Sequence, residues 1–259
     1  TLMTEHALDF VGENKESPFC LYLAYEAPHD PYQGPSDPPI RVEGKVVPNR
    51  YAKGQIPRAY REMVQTMDHG IGQVLDLLKA LKLDRKTLVF FLSDNGANKN
   101  GSNGALRGYK GSLWEGGHRV PAIAWWPSII PPNCVCDDLS ISLDVMPTMM
   151  ELSGAVLPGG HLFDGVSLVS AFRRGYLPDR SRKVFWAYGE KRAMRDGPWK
   201  LLVDQSVTPS IQLFHLGEDV SEQKNLYNNQ LLKSKRMLSD LEVWHEGVLL
   251  KATTQPHGP

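Results

Sequence analysis

The feature that most constrains this chain is the alternation of helical and apolar strand patterns in its first part. Helical patterns and short, continuous apolar runs follow one another at residues 2–11, 19–25, 58–81, 88–92, 122–126 and 143–152. Strands that are apolar on both faces are typical of a parallel sheet covered on both sides by helices. The sequence therefore predicts an α/β fold in which a mostly parallel sheet is sandwiched by helices.

Beyond about Gly175 the pattern changes. Short β-like segments and then a helical stretch occur at residues 184–188, 199–203, 211–214 and 231–249. This order predicts a small antiparallel sheet followed by a terminal helix. We therefore expect two domains, residues 1–174 and residues 175–259.

Composition excludes some classes of partner. The 29 basic and 29 acidic residues balance, so no global charge favours nucleic acid. The apolar runs are far shorter than the roughly 20 residues that cross a bilayer, so no membrane span is expected. Cys134 and Cys136 are interpreted as loop thiols, and Cys20, inside an apolar run, as a small buried hydrophobic residue. The cysteines do not settle the compartment.

Polar residues follow two of the apolar runs, where ligands bind in open α/β sheets. Asp94 and Asn95 offer a carboxylate and an amide oxygen, which Ca²⁺ or Mg²⁺ prefers, although Asp-Asn-Gly is also a common turn. His29 can donate to an oxyanion or act as a general acid, or can be an ordinary surface histidine.

The segment LRGYKGSLWEGGHRVP, residues 106–121, combines glycines with Lys110. Such a loop can hold a tetrahedral oxyanion, and it matches neither nucleotide-binding glycine fingerprint. The alternative is a glycine-rich surface loop with a solvated lysine. Arg107, Glu115 and Arg119 are expected to form ion pairs within the loop, and His118 has no assigned role.

Taken in order, these segments resemble the formylglycine-dependent sulfatases of the alkaline phosphatase superfamily. The resemblance rests on YLAYEAPHDP at 22–31, FLSDNG at 91–96, the loop at 106–121, AMRDGPWKL at 193–201 and QLFHL at 212–216. It covers essentially the whole chain. It implies that residues 1–174 are the C-terminal part of the α/β catalytic domain and that residues 175–259 are its small α+β subdomain.

The resemblance also implies roles for individual residues. Asp94 and Asn95 would be ligands of Ca²⁺, with Mg²⁺ as an alternative. His29 would donate to the sulfate or to the leaving oxygen, and Lys110 would bind the sulfate. The substrate would be an aryl sulfate or a sulfated sugar, selected by loops such as residues 33–55.

The family's nucleophile is a formylglycine made from Cys or Ser in a C/S-x-P-x-R signature, and no cysteine or serine of this chain stands in one. We therefore expect the formylglycine and two further carboxylate ligands in a missing N-terminal part. The chain alone is expected to bind calcium weakly and to be inactive, and the missing half is an expected partner.

Two other interpretations stay open: a phosphonate or phosphodiester hydrolase of the same superfamily, and a non-catalytic anion-binding module. The resemblance implies a periplasmic or secreted protein, or a lysosomal one in an animal.

Overall fold

The computed structural model describes residues 2–37, 54–156 and 162–254, with side chains of the last helix described to residue 250. The chain forms two compact units, Thr1–Val89 with Trp125–Ser128, and Phe90–Ala124 with Ile129–Pro259. The predicted boundary after residue 174 stays a prediction. Most of the predicted specificity loop, residues 38–53, lies outside the described residues.

Most of the predicted helices and strands are present, in the predicted order. In chain order they are α1 (Leu2–Glu13), α2 (Ile56–Ala80), β1 (Val89–Leu92), α3 (Glu115–His118), β2 (Ala122–Trp125), α4 (Val145–Ser153), α5 (Val169–Arg174), β3 (Lys183–Tyr188), β4 (Lys191–Asp196), β5 (Trp199–Val203), β6 (Ile211–His215) and α6 (Leu231–Thr254). A short 3₁₀ turn, Ser142–Asp144, leads into α4.

The first unit contains α1, α2 and an extended segment, residues 19–25. The Phe19 ring lies edge-on to Phe10 of α1, and the Tyr25 hydroxyl is 2.8 Å from Thr4 Oγ1. One face of the segment is therefore half-buried, whereas alternate side chains are exposed. The predicted buried strand at 19–25 is not a strand within residues 2–37, 54–156 and 162–254, because no strand there pairs with it.

The burial predicted for Cys20 is wrong. Cys20 is exposed, and Tyr22 on the same side of the segment is 90% exposed. Apolar character alone does not bury a segment, because burial of both faces also requires a covering layer on the second face. Cys134 and Cys136 are exposed loop thiols, as predicted.

Strands β1 and β2 form a two-stranded sheet, and in the second unit β3 to β6 form a four-stranded antiparallel sheet in sequence order. The four-stranded sheet confirms the predicted C-terminal architecture. Strand β4 was not predicted, since four of its six residues are charged. Its pairing with neighbours on both sides outweighs its low strand propensity.

The four-stranded sheet has two covered faces. Met194, Leu201 and Leu213 pack on one face with Met237 and Leu241 of α6. On the other face, Ala193, Leu202 and Phe214 pack against Leu113 and Trp114. The segment that carries Lys110 is thus anchored on the sheet. Among the described helices, none is long and apolar enough to span a bilayer.

Candidate functional site

Asp94 and Asn95 lie directly after β1, as the sequence predicts. Asp94 is exposed and Asn95 is half-buried. The Ser93 hydroxyl donates to the main-chain oxygen of Asn95 at 2.9 Å. Within the part of the chain that the structure describes, neither side chain forms a hydrogen bond or ion pair. Their carboxylate and amide oxygens are therefore available to a ligand.

The turn after β1 is hydrogen-bonded to residues 106–121, which we call the lysine loop. Gly96 N–H donates to the Gly117 carbonyl at 3.0 Å, and Lys110 N–H donates to the Ala97 carbonyl at 3.0 Å. The structure therefore brings the segments of Asp94, Asn95 and Lys110 together.

Asn103, which sequence reasoning did not single out, bridges the same two segments. Its Oδ1 accepts from Ala97 N–H at 2.8 Å, and its Nδ2 donates to the Gly108 carbonyl at 3.0 Å. A side-chain amide can satisfy a donor and an acceptor at once, which suits it to hold two loops in register.

Gly96 is required at this junction. A Cβ on this residue would collide with the carbonyl group of Gly116. The Asp-Asn-Gly sequence is therefore more than a turn, because its glycine allows the lysine loop to approach closely.

The Lys110 side chain is exposed and has no ion pair within the described ranges. Hard oxygen donors at Asp94 and Asn95 suit Ca²⁺ or Mg²⁺, but they are two ligands of the 6–8 oxygens that Ca²⁺ takes. In the described residues no cluster of three or more His, Cys, Asp or Glu side chains forms a metal site. The donor set fits part of a calcium site.

His29 lies in the first unit, in the turn after the extended segment. Its main-chain N–H donates to the Glu26 carbonyl at 2.7 Å, and its Nδ1 lies 2.7 Å from the Asp30 carbonyl. An Nδ1–H donated to that carbonyl fixes the ring and its tautomer. Its Nε2 has no partner among the described residues and is open to a ligand.

The second unit contains a buried charge cluster that joins the lysine loop to the four-stranded sheet and to Glu222. It comprises Lys200, Glu115, Glu222, His118 and Arg195. Lys200 Nζ lies 3.0 Å from Glu115 Oε1 and 2.8 Å from Glu222 Oε1, and each of these three side chains is at most 1% exposed. Glu222 Oε2 also accepts from Glu115 N–H at 2.6 Å.

Successive side chains of a strand point to opposite faces of the sheet, which explains why Lys200 faces the lysine loop. Lys200 alternates with Leu201 on β5, and it lies opposite Arg195 of β4 in the register. Two cations directly opposite each other repel. Glu115 offsets this repulsion, since its Oε2 lies 3.4 Å from Arg195 as well.

The cluster shifts the pKa values of its members. Burial acts to raise the pKa of Glu115, but the charges of Lys200 and Arg195 lower it below its usual range. Burial raises the pKa of Glu222. Burial and the nearby Lys200 charge lower the pKa of His118 to about 4. His118 is therefore neutral at physiological pH, with Nε2 at 3.2 Å from Lys200 Nζ.

The ion pairs predicted within the lysine loop form only in part. Arg119 lies 3.5 Å from Glu115, whereas Arg107 stacks on Trp114 at 3.6 Å and donates to the Glu222 carbonyl at 2.7 Å. Sequence reasoning missed Lys200 and Glu222. A lysine within the otherwise apolar strand WKLLV was the available signal for Lys200.

Comparison with known proteins places these features in a family. The sulfatase family model matches residues 1–155. The chain is 35% identical to N-acetylgalactosamine-6-sulfatase of Canis lupus familiaris over 195 residues, which is 72% of this chain and 34% of that protein. It is 36% identical to steryl-sulfatase of Mus musculus over 181 residues, which is 66% of this chain and 27% of that protein.

A solved structure, Ps i-CgsB in complex with k-i-k-neocarrahexaose, superimposes with a TM-score of 0.80 at 28% identity. The alignment covers 99% of this chain and 59% of that one. The fold is thus the α/β fold of alkaline phosphatase-like proteins, as predicted. The chain belongs to the sulfatase family, whose members hydrolyse sulfuric esters. It spans about a third of the length of the curated relatives that it matches.

Proposed function

We propose that this chain contributes calcium ligands and a sulfate-binding cation to the active site of a sulfuric ester hydrolase. The observation that carries the proposal is the junction of two loops. The main-chain bonds of Gly96 and Lys110 hold the turn of Asp94 and Asn95 against the lysine loop. Both segments present side chains that no described residue engages.

The chemistry of these groups suits a sulfate ester. Asp94 and Asn95 would hold Ca²⁺, or Mg²⁺, which offsets negative charge on the sulfate oxygens when bound. Lys110 would add a positive charge on the same anion. The proposed substrate is an aryl sulfate or a sulfated sugar.

His29 is proposed to donate toward the leaving oxygen. Because its Nδ1 is occupied by the Asp30 carbonyl, donation falls to Nε2. If Nδ1 keeps its proton, Nε2 carries a proton only when both ring nitrogens are protonated. His29 would thus stabilise the leaving alkoxide through an Nε2–H donor.

The nucleophile, a formylglycine by family resemblance, would come from residues outside these 259. Two observations support a partner segment that completes the fold. The segment at 19–25 exposes Cys20 and Tyr22 on an apolar face, and all four residues of β1 are only half-buried. An apolar strand gains stability when a second layer covers it. We expect an exported or lysosomal location, as the family resemblance implies.

The test is hydrolysis of an aryl sulfate and of the matching phosphate monoester and diester. We expect no calcium-dependent turnover by the purified chain, and calcium-dependent sulfatase activity when the upstream coding sequence is joined to it. In that protein, Lys110→Ala should reduce kcat/KM by roughly 10²–10³-fold. Lys99→Ala, which removes an exposed lysine of the neighbouring turn, is the matched control.

Three results would contradict the proposal. Robust calcium-dependent hydrolysis by the chain alone would refute the need for a partner. A preference for the phosphate esters would favour the phosphonate or phosphodiester hydrolase. Anion binding without turnover by the joined protein would favour the non-catalytic module.

A further inference from the structure

We infer that Lys200 is a positioning residue that holds the candidate calcium and sulfate loops in register from beneath. It touches neither Asp94, Asn95 nor the Lys110 side chain. It acts through the two buried carboxylates of Glu115 and Glu222. The inference rests on the proposed function of those loops.

The first step is the contact between strand β5 and the lysine loop. Lys200 Nζ lies 3.0 Å from a carboxylate oxygen of Glu115 and 2.8 Å from one of Glu222, and each of the three side chains is at most 1% exposed. Burying a charge is costly unless it is paired, so each group depends on the others. The lysine loop is therefore fixed wherever Lys200 is fixed.

The second step is the set of hydrogen bonds that residues 221 and 222 form with the lysine loop and with Ala105, which precedes it. Glu222 accepts from the main chain of Glu115, and its own carbonyl accepts from Arg107. The Ser221 hydroxyl donates to the Ala105 carbonyl at 2.8 Å. Glu222 also has a φ of +53°, a left-handed conformation that costs a non-glycine residue free energy. The surrounding contacts must hold it there.

The third step leads from Glu115 to the ligands. Gly116 N–H donates to the Arg107 carbonyl at 2.7 Å, and Gly117 accepts from Gly96, the residue that follows Asn95. The chain of contacts thus runs from Lys200 to Glu115, to Gly117, and to the turn of Asp94 and Asn95. Lys110 is bonded to the same turn through Ala97.

The experiment is residue-resolved amide hydrogen exchange on this chain. In Lys200→Met, the Gly96 and Lys110 amides should exchange at least about tenfold faster, whereas amides of α2 keep their rates. The matched control is Arg182→Met, which breaks a comparably buried ion pair with Asp144 in the same unit. It should leave the Gly96 and Lys110 amides within about twofold of wild type.

A rescue variant separates positioning from general packing. Lys200→Met combined with Glu222→Gln removes one unpaired buried charge and leaves Glu115 with Arg195 and Arg119. We expect it to recover part of the protection lost in Lys200→Met. If Lys200→Met does not fold, Glu222→Gln alone carries the test, because it deletes one charge and keeps an oxygen acceptor for Glu115 N–H.

A titration with inorganic sulfate separates this inference from the proposed function. The sulfate response is the change in the hydrogen-exchange rate of the Lys110 amide. Lys110→Ala should abolish the sulfate response and leave exchange at Gly96 unchanged. If the wild-type chain shows no response to sulfate, the proposed sulfate-binding role of Lys110 is wrong. The exchange rates of the Gly96 and Lys110 amides in the Lys200 variants still test the role of Lys200. Unchanged exchange at Gly96 and Lys110 in the Lys200 and Glu222 variants, or equal acceleration in Arg182→Met, would overturn the inference.

Discussion

Lys200 and Glu115 form an ion pair of 3.0 Å although they are 85 residues apart, and neither side chain is more than 1% exposed. The pair joins the C-terminal sheet to the loop that carries Lys110. The small C-terminal sheet is therefore part of the support of the candidate site.

Lys200→Met should lower the free energy of unfolding by about 3–5 kcal/mol, because two buried carboxylates lose their nearest cation. Urea denaturation measures this. Lys183→Met is the matched control, since Lys183 pairs with Asp240 at 2.8 Å in a partly exposed position. Its cost should be about 0–1 kcal/mol. Equal losses in both variants would contradict a special role for the buried cluster.

The lowered pKa of His118 predicts that the stability of the protein depends on pH. Its folded pKa of about 4 lies below the ordinary value of 6.5, so the unfolded state takes up the proton first as the pH falls. Its contribution is fully present above about pH 6.5 and decreases toward pH 4 by about 1.4 kcal/mol per pH unit. Unfolding of His118→Gln, which does not titrate and keeps an acceptor for Lys200, should show a shallower pH dependence over this range. An unchanged slope would exclude His118 as its source.

Gly96→Ala should destabilise the second unit by about 1–3 kcal/mol, because the added Cβ collides with the Gly116 carbonyl group. Thermal unfolding and the exchange rate of the Lys110 amide report the effect. At Gly72 of α2 an added Cβ meets no atom within 4 Å. Gly72→Ala should therefore be neutral or stabilising, by up to about 1 kcal/mol. A silent Gly96→Ala would show that the two loops do not need their close approach.

All three cysteines should react with a thiol reagent in the native chain, because Cys20, Cys134 and Cys136 are exposed. The measurement is the number of thiols labelled without denaturant. A Cys134→Ser/Cys136→Ser variant isolates Cys20. Joining the upstream coding sequence should protect Cys20 if that segment covers the apolar face at 19–25. Labelling of Cys20 only after denaturation would contradict the exposed face.

Much of the fold could be predicted because local patterns of apolar residues indicate its helices and strands. The amphipathic pattern of α2 and the apolar runs of β1 and β5 appear at nearly the predicted residues. Strand β4 could not be predicted from its own residues, since its stability comes from pairing with β3 and β5. The strand at 19–25 was predicted from its apolar character, but a strand also needs a partner.

The sequence by itself determined the family and most of the order of elements, because short motifs and periodicity are local, and it predicted Asp94, Asn95, Lys110 and His29 as site residues. Only the tertiary structure decided that the lysine loop is hydrogen-bonded to the turn of Asp94 and Asn95. It also decided that Glu115 pairs with Lys200 and that Glu222 accepts from Glu115 N–H across 107 residues. Charge pairing depends on distance in space, and the spacing of residues along a chain does not fix that distance.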